Sequence, residues 1–230
     1  VYLLLDGATG HPRAVVDGEA LTLRRTAATS ALASRLLSRP DPRTLLVVGT
    51  GALAPYMAEA HAAVRTFDRV LVWGRDAGRA EATAGLLRER GLPAQRAADL
   101  QRALDVADVV TCATTSREPL VRGAWVRPGT HVDLVGAFTP EMRECDDALV
   151  AAASVFVDTY AGALKEGGEL VQALASGRVG REHVRAELAE LVRGDRPGRR
   201  DAAEVTLFKS VGTALEDLCA ARLVYERVTG

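Results

Sequence analysis

The sequence predicts an α/β fold with a doubly wound parallel sheet of the Rossmann type. Short apolar runs, typical of strands buried in a parallel sheet, alternate with longer segments of helical periodicity. The run Leu45 to Val48 leads at once into Gly49-Thr50-Gly51 and a predicted helix, and a second apolar run, Val70 to Val72, follows about 20 residues later. This order of strand, glycine turn, helix and strand is typical of half of a dinucleotide-binding fold.

Ahead of the glycine turn, the sequence predicts a β-hairpin and a long helix. Val1 to Leu5 and Pro12 to Val16 are strand candidates on either side of the turn residues Asp6 to Gly10. Arg24 to Leu37, rich in Ala and Leu, predicts a helix that ends before Pro40. The chain has no initiator Met and opens directly on a strand that needs partners. We therefore expect an N-terminal segment to be missing, through processing, truncation or disorder.

The glycine turn after the first sheet strand is suited to a phosphate group. Gly49 can adopt backbone angles that other residues avoid, and Gly51 lacks the Cβ that would block a pyrophosphate at the helix N-terminus. Ala54 provides a third small residue, so the helix can lie close to the strand. Glycines also occur in turns that serve packing alone, but the position between a strand and a helix favours a dinucleotide site.

The end of the second sheet strand predicts which dinucleotide binds. An Asp or Glu there would bind the ribose hydroxyls of NAD, whereas this chain has Trp73-Gly74-Arg75-Asp76. The guanidinium of Arg75 is suited to a 2'-phosphate, and Arg79 follows one turn along the next helix. Trp73 is open to a packing role, and Asp76 either repels the phosphate or caps the helix. We expect NADP(H) to be favoured, with NAD(H) as the alternative.

Beyond this strand, helices and strands continue to alternate. The predicted helices span Arg79 to Arg90 and Leu100 to Val106, and the predicted strands span Val109 to Thr111, His131 to Val135 and Val155 to Asp158. Ligands of such folds bind at the carboxyl ends of the strands, which share one edge of the sheet. The residues expected on that rim are Gly49, Arg75, Thr114 and Gly136.

The last part of the chain predicts helices only. They span Ala161 to Ala175, His183 to Val192 and Val205 to Val228. We expect the third of these helices to bury one apolar stripe in the core and to return onto the hairpin and the first long helix. The stripe consists of Leu207, Val211, Leu215, Leu218 and Leu223.

Composition excludes several classes of protein. A net charge of -1 gives no basis for a nucleic-acid or membrane-surface partner. Cys112, Cys145 and Cys219 are widely spaced and odd in number, so they predict neither a disulfide framework nor a metal site, and the histidines show no metal-ligand spacing. The sequence has no apolar run of the roughly 20 residues that cross a bilayer and no secretory signal. We expect a cytoplasmic protein without a metal.

Five segments, in the right order, resemble the ornithine cyclodeaminase and mu-crystallin family. They are Arg25 to Ala33, Gly49 to Ala52, Thr114 to Ser116, Pro128 to Gly136 and Thr206 to Gly212. The resemblance spans nearly the whole chain. It implies that the protein binds NAD or NADP, acts on a small amino acid or cyclic imino acid, and pairs as a homodimer through its substrate domain.

The resemblance also implies roles for single residues. Arg25 matches the arginine that meets the substrate carboxylate, a role that suits a guanidinium at a helix start, and Val211 matches a position in the substrate pocket. Without the resemblance, pairing of Arg25 with a surface acid would be the favoured interpretation. The positions that match cofactor contacts are Thr26, Ala52, Leu53, Thr115, Val135 and Ser210, in addition to Gly49, Gly51, Arg75 and Thr114.

Two departures from the family pattern narrow the expected chemistry. Cyclodeaminases carry an acidic catalytic residue where this chain has Phe138, which cannot transfer a proton, so the segment is more similar to the ketimine reductase and amino-acid dehydrogenase branches. Leu53 replaces a common Gln in the glycine turn, where backbone amides carry most of the phosphate contact. The family's active-site lysine lies upstream of this sequence, and neither Lys165 nor Lys209 is assigned as its replacement. The catalytic acid is therefore left unassigned.

These observations define the predicted domains and function. Residues 1–40 are expected to be the remaining part of a smaller α+β substrate and dimerisation domain, residues 41–204 the NAD(P)-binding Rossmann domain, and residues 205–230 a C-terminal helix that returns to the substrate domain. The expected reaction is NADPH-dependent reduction of a cyclic imino acid of the Δ1-pyrroline-2-carboxylate type. The alternatives are an alanine-type amino-acid dehydrogenase, an ornithine cyclodeaminase, a non-catalytic NADPH-binding protein like mu-crystallin, or an unrelated Rossmann binding module.

Overall fold

A computed structural model describes residues 1–230, beginning with the predicted hairpin. Strand β1 (Tyr2–Leu5) pairs antiparallel with β2 (Pro12–Val16), and Tyr2 lies opposite Val16. The hairpin forms a sheet of its own, separate from the larger sheet that follows. No helix of the structure combines the length and the apolar character needed to cross a membrane.

The first helix, α1 (Gly18–Leu37), begins well before the predicted Arg24. Asp17 explains the difference, because its side chain accepts hydrogen bonds from two amides in the first turn and so caps the helix. Arg25 consequently lies inside α1. Its predicted position at a helix start is wrong.

An eight-stranded parallel sheet forms the centre of the molecule. In chain order its strands are β3 (Thr44–Val48), β4 (Arg69–Trp73), β5 (Ala94–Arg96), β6 (Val109–Cys112), β7 (His131–Leu134), β8 (Ser154–Val157), β9 (Val184–Glu187) and β10 (Thr206–Lys209). In space their order is β5-β4-β3-β6-β7-β10-β8-β9. The remaining helices are α2 (Leu53–Val64), α3 (Ala77–Glu89), α4 (Leu100–Val106), α5 (Asp147–Ala152), α6 (Tyr160–Glu166), α7 (Gly168–Ala175), α8 (Leu188–Arg193) and α9 (Ala214–Thr229). The predicted doubly wound parallel fold is confirmed.

The strand register brings the carboxyl ends of the central strands to one level. Val48 lies beside both Trp73 and Cys112, and Leu134 lies beside both Cys112 and Lys209. The chain runs outward from β3 to β4 and β5 and then returns to the other side of β3 with β6. This reversal of strand order creates the crevice in which open α/β sheets bind their ligands.

Apolar side chains fill both faces of the sheet. Leu46 and Val48 of β3 belong to the larger cluster, whereas Leu45 and Val47 point to the opposite face and pack with residues of α2 and α3. Helix α1 covers the part of the sheet around β8 and β10, where Leu37 is fully buried. Helix α1 therefore lies against the sheet as well as beside the hairpin.

Two of the helices predicted near the end of the chain are only partly correct. The segment predicted as one helix over Ala161 to Ala175 is divided into α6 and α7 at Gly167. The segment His183 to Val192 contains strand β9 before it becomes helix α8. A short run such as Val184–Glu187 is too brief for periodicity to distinguish a strand from a helix. Strand β5 was not predicted at all.

The single helix predicted from Val205 to Val228 is also wrong. Its first residues form β10, a fully buried strand between β7 and β8, and α9 begins only at Ala214. The predicted stripe does not form a core, because Leu207 is buried whereas Leu215 and Leu223 are 65% and 57% exposed. Helix α9 instead buries Ala221 against the hairpin and α1. The segment 205–230 is thus a strand followed by a helix.

Candidate active site

The glycine turn and the ends of β4 and β6 enclose a cavity of about 280 Å³ at the carboxyl edge of the sheet. Five of the predicted cofactor residues line this first cavity, namely Gly49, Gly51, Arg75, Thr114 and Thr115. Ala52 does not line it. Ala52 is the residue before α2 and forms no side-chain cap.

The two glycines of the turn serve different purposes. Gly49 has φ +123°, and a Cβ at this position would lie 2.6 Å from the carbonyl oxygen of Ala113, so the fold itself requires glycine. A Cβ at Gly51 would meet nothing within 4 Å. Because Ala52 offers no acceptor, the first amides of α2 receive no side-chain cap. The space at Gly51 and these amides together fit a phosphate group.

The tip of β4 forms the second wall of the first cavity. Asp76 caps α3 by accepting a hydrogen bond from the Arg79 amide at 2.8 Å, which decides between its two predicted roles in favour of capping. The guanidinium of Arg79 donates to the carbonyl oxygen of Thr50 at 3.3 Å. Arg75 is exposed at the cavity and makes no hydrogen bond. Trp73 is half-buried against the core, which favours its packing role.

A second cavity of about 400 Å³ adjoins the first and shares Thr114 and Thr115 with it. Helix α1 and the ends of β6, β7 and β10 enclose it. The predicted residues that line only this cavity are Arg25, Thr26, Leu53, Val135, Gly136, Ser210 and Val211. Phe138, also in its lining, is 49% exposed. Ser210 lies directly after β10 and four residues before the start of α9, so it is close to the C-terminal helix but not inside the helix predicted from Val205.

Arg25 reaches the second cavity from the middle of α1. Its Nε donates to Asp217 at 2.8 Å and its Nη1 donates to Glu216 at 3.0 Å, both on α9. Its side chain is only 15% exposed, and Nη2 makes no hydrogen bond. Gly212 allows this arrangement, since a Cβ there would lie 2.6 Å from Nη1 of Arg25. Two carboxylates therefore hold the guanidinium of Arg25, and its Nη2 remains free to donate a hydrogen bond.

Asp158 organises the loop between β10 and α9, a role that sequence analysis did not predict. One oxygen, Oδ2, accepts hydrogen bonds from the Ser210 hydroxyl at 3.1 Å and from the amides of Val211 and Gly212 at 2.8 and 2.7 Å. Asp158 is 4% exposed. Its position at the carboxyl end of a predicted buried strand was the one available signal. Glu216 and Asp217 were likewise missed, because their partner Arg25 is remote in sequence.

Lys209 also differs from its predicted place at a helix start. It ends strand β10 in the middle of the sheet and is fully buried. Its Nζ lies 3.1 Å from Oε2 of Glu169. Lys209 lines neither cavity.

The sequence profile of the Ornithine cyclodeaminase/mu-crystallin family matches residues 1–230. The chain belongs to this family. Within the ornithine cyclodeaminase/mu-crystallin family, the Δ(1)-pyrroline-2-carboxylate reductase of Paracoccus denitrificans is 43% identical over 231 residues, which cover 99% of this chain and 72% of that protein. The resemblance found in the sequence is thereby confirmed.

Solved structures of related proteins show the same fold. The Δ(1)-pyrroline-2-carboxylate reductase of Thermococcus litoralis, in complex with NADH and L-proline, has a TM-score of 0.95 and 36% identity, covering 98% of this chain and 70% of that one. An archaeal alanine dehydrogenase dimer with bound NAD has a TM-score of 0.93 and 31% identity, covering 98% of this chain and 70% of that one.

Proposed function

We propose that this protein is a nicotinamide-dependent oxidoreductase that reduces a cyclic imino acid of the Δ1-pyrroline-2-carboxylate type to the cyclic amino acid. The observation that carries this proposal is the adjoining pair of cavities, one at the glycine turn and one at Arg25, with Thr114 and Thr115 in both linings. A dinucleotide in the first cavity would extend towards the second. The reductases from Paracoccus denitrificans and Thermococcus litoralis support the choice of substrate.

Backbone groups of the first cavity are suited to the pyrophosphate of a nicotinamide dinucleotide. The open space at Gly51 and the uncapped amides of α2 would hold the pyrophosphate. When bound, the reduced cofactor supplies a hydride to the carbon of the C=N bond, and the nitrogen gains a proton. The related structures with NADH and NAD support a nicotinamide cofactor, while a preference for NADP(H) rests on Arg75 and Arg79.

The cofactor preference is tested with the double variant R75S/R79S. If these side chains bind the 2'-phosphate, the Kd for NADPH rises about ten- to a hundredfold because charge-assisted hydrogen bonds are lost. The Kd for NADH changes little. The matched control is Arg102→Ser, which removes an exposed arginine from α4. Equal effects on both cofactors would contradict the preference for NADP(H).

Arg25 is proposed to bind the carboxylate of the imino acid. Glu216 and Asp217 fix the guanidinium, and Nη2 remains to donate to the substrate. Arg25→Ala is expected to raise KM for the imino acid more than it lowers kcat. Arg25→Lys should restore only part of the lost substrate affinity, because an ammonium lacks the planar fork of a guanidinium.

The decisive experiment follows reduced-cofactor oxidation by the purified protein with a panel of substrates. Turnover with Δ1-pyrroline-2-carboxylate supports the proposal, and no turnover with any cyclic imine or 2-oxo acid would overturn it. Activity with pyruvate and ammonia instead would favour an alanine-type dehydrogenase, which the structural likeness to the archaeal enzyme supports. Tight NADPH binding with thermal stabilisation but no turnover would indicate a non-catalytic binding protein.

The protein is further proposed to form a homodimer. Apolar side chains are exposed on the hairpin and on α9, among them Leu3, Val15 and Leu223 at 56%, 71% and 57%. Exposed apolar patches of this kind mark interaction sites. Light scattering of the protein in solution tests the proposal, and a monomer at micromolar concentration would contradict it.

A further inference from the structure

Three fully buried ionisable side chains, Glu144, Glu169 and Lys209, form a connected cluster. The ammonium of Lys209 lies 3.1 Å from Oε2 of Glu169. The other oxygen of Glu169 accepts a hydrogen bond from the backbone amide of Glu144 at 2.7 Å. The cluster brings two acids and one base into the interior, where ionised groups are costly.

The side chain of Glu144 joins the ends of two strands. Its Oε1 accepts hydrogen bonds from the amide and the hydroxyl of Thr114 at 2.7 and 2.8 Å, directly beyond β6. Its Oε2 accepts from the amide of Gly136, beyond β7, at 2.7 Å. Thr114 lines both cavities and Gly136 lines the second. Glu144 itself lines neither.

The two strand ends are closely packed at Gly136. A Cβ at Gly136 would lie 2.0 Å from the carbonyl oxygen of Thr114 and 2.4 Å from Oε1 of Glu144. The carboxylate therefore lies in direct contact with both segments and supplies the acceptors for three donors. A buried donor left without its acceptor costs about 1–3 kcal/mol, so the carboxylate stabilises the positions of both segments.

Stability alone does not account for such a cluster. Burial raises the pKa of Glu144, and the neighbouring Glu169 acts in the same direction, while Lys209 opposes both. Well-packed apolar residues of similar volume usually stabilise a protein as well as, or better than, a buried ionic cluster. Perturbed buried carboxylates concentrate at functional sites.

We propose that Glu144 is a positioning residue, which holds the ends of β6 and β7 at the spacing that cofactor binding requires. It acts through Thr114 and Gly136 and touches no ligand. The identity of the ligand, a nicotinamide dinucleotide, rests on the proposed function. Glu169 accepts from the backbone amide of Glu144 through Oε1, an oxygen that a glutamine at position 169 would retain, and pairs with Lys209 through Oε2.

The test is the Kd for NADH, measured by calorimetry on the variant Glu144→Gln. The glutamine has one acceptor oxygen for three donors, and its amide group must face one of the donating N–H groups. The Kd is expected to rise about tenfold, the equivalent of 1.4 kcal/mol. The matched control is Glu141→Gln, which changes an exposed glutamate in the same segment and should leave the Kd unchanged.

A second variant distinguishes a positioning role of Glu144 from a general loss of stability. Glu169→Gln breaks the pair with Lys209 but leaves the contacts of Glu144 with Thr114 and Gly136 intact, so it should lower the Tm with little effect on the Kd. An unchanged Kd in Glu144→Gln would overturn the proposal. Equal Kd increases in both variants, in proportion to their loss of Tm, would also overturn it.

If Glu144→Gln does not fold, hydrogen exchange of the wild-type protein without cofactor replaces it. The amides of Thr114 and Gly136 are then expected to be as protected as those of β6 and β7, and rapid exchange would overturn the proposal. NADH binding without turnover of any imine would contradict the proposed reaction alone, because the Kd comparison does not depend on catalysis.

Discussion

Replacing Asp133 with Asn is expected to change how the stability of the protein depends on pH. Asp133 and His61 are both fully buried between β7 and α2. Oδ2 of Asp133 accepts a hydrogen bond from the Thr111 hydroxyl at 2.7 Å and lies 3.8 Å from Nε2 of His61. Oδ1 of Asp133 and Nε2 of His61 have no hydrogen-bond partner.

Burial sets the charge states of this pair. It raises the pKa of Asp133 from 3.8 to about 7 and lowers the pKa of His61 from 6.5 to about 4. Between those two values both side chains are neutral in the folded protein, so their contact is not an ion pair. In the unfolded chain the aspartate is ionised over the same range.

The raised pKa means that the folded protein binds the Asp133 proton more tightly than the unfolded chain does. This contribution to stability is complete below pH 3.8 and is lost as the pH rises through about 7. Each pKa unit corresponds to about 1.36 kcal/mol, so moving from about pH 8 to about pH 5 changes the contribution by about 3 kcal/mol. The lowered pKa of His61 has the opposite sign, since its stabilising neutral form is lost as the pH falls from 6.5 towards 4.

Asn has the shape of the neutral acid but does not titrate. Relative to the wild-type protein, Asp133→Asn should therefore raise the free energy of unfolding by about 3 kcal/mol more at pH 8 than at pH 5. Urea denaturation at both pH values measures this difference. The control is Asp105→Asn on the exposed face of α4. The reasoning is refuted if Asp133→Asn shows the same stability difference from wild type at both pH values.

Two further perturbations test the candidate site. Gly49→Ala should lower the free energy of unfolding by at least about 2 kcal/mol, because a Cβ would collide with a backbone carbonyl at 2.6 Å. Gly51→Ala should leave the Tm unchanged, because a Cβ there meets nothing within 4 Å, but it should weaken NADH binding. Equal effects of the two variants on Tm would contradict this distinction. Asp158→Asn should cost about 1–3 kcal/mol of stability, because its NH2 group must face either the Thr159 amide or the donors of the loop at Val211. Since only one oxygen remains to hold these donors, KM for the imino acid should rise. An unchanged KM, in steady-state kinetics, would argue against a role of that loop in the substrate pocket.

The features predicted correctly from the sequence are those that depend on residues close by in the sequence. The turn at Gly49 follows directly from the strand before it, and the helix Leu100–Val106 has its capping Asp99 beside it. Predicting β10 would have required knowledge of its neighbours, since Thr206–Lys209 is too short for periodicity to distinguish a helix from a strand. Only the pairing with β7 and β8 makes it a strand.

The same limit applies to the candidate site. Arg25 was recognised through a motif, but its partners Glu216 and Asp217 lie on α9, and no local pattern connects them. Glu144 is a similar case, because its contacts with Thr114 and Gly136 come from two different strand ends. Residues that organise a site through long-range contacts leave no periodic signal along the chain.

The position of β10 has a consequence for synthesis on the ribosome. Strand β10 pairs with β7 on one side and β8 on the other, and both of those strands leave the ribosome before it does. Until Thr206–Lys209 emerges, β7 and β8 each retain an edge of unpaired N–H and C=O groups, which is a template for association with other chains. The eight-stranded sheet therefore cannot be completed until nearly the whole chain has been synthesised, and unpaired strand edges make such intermediates prone to aggregation.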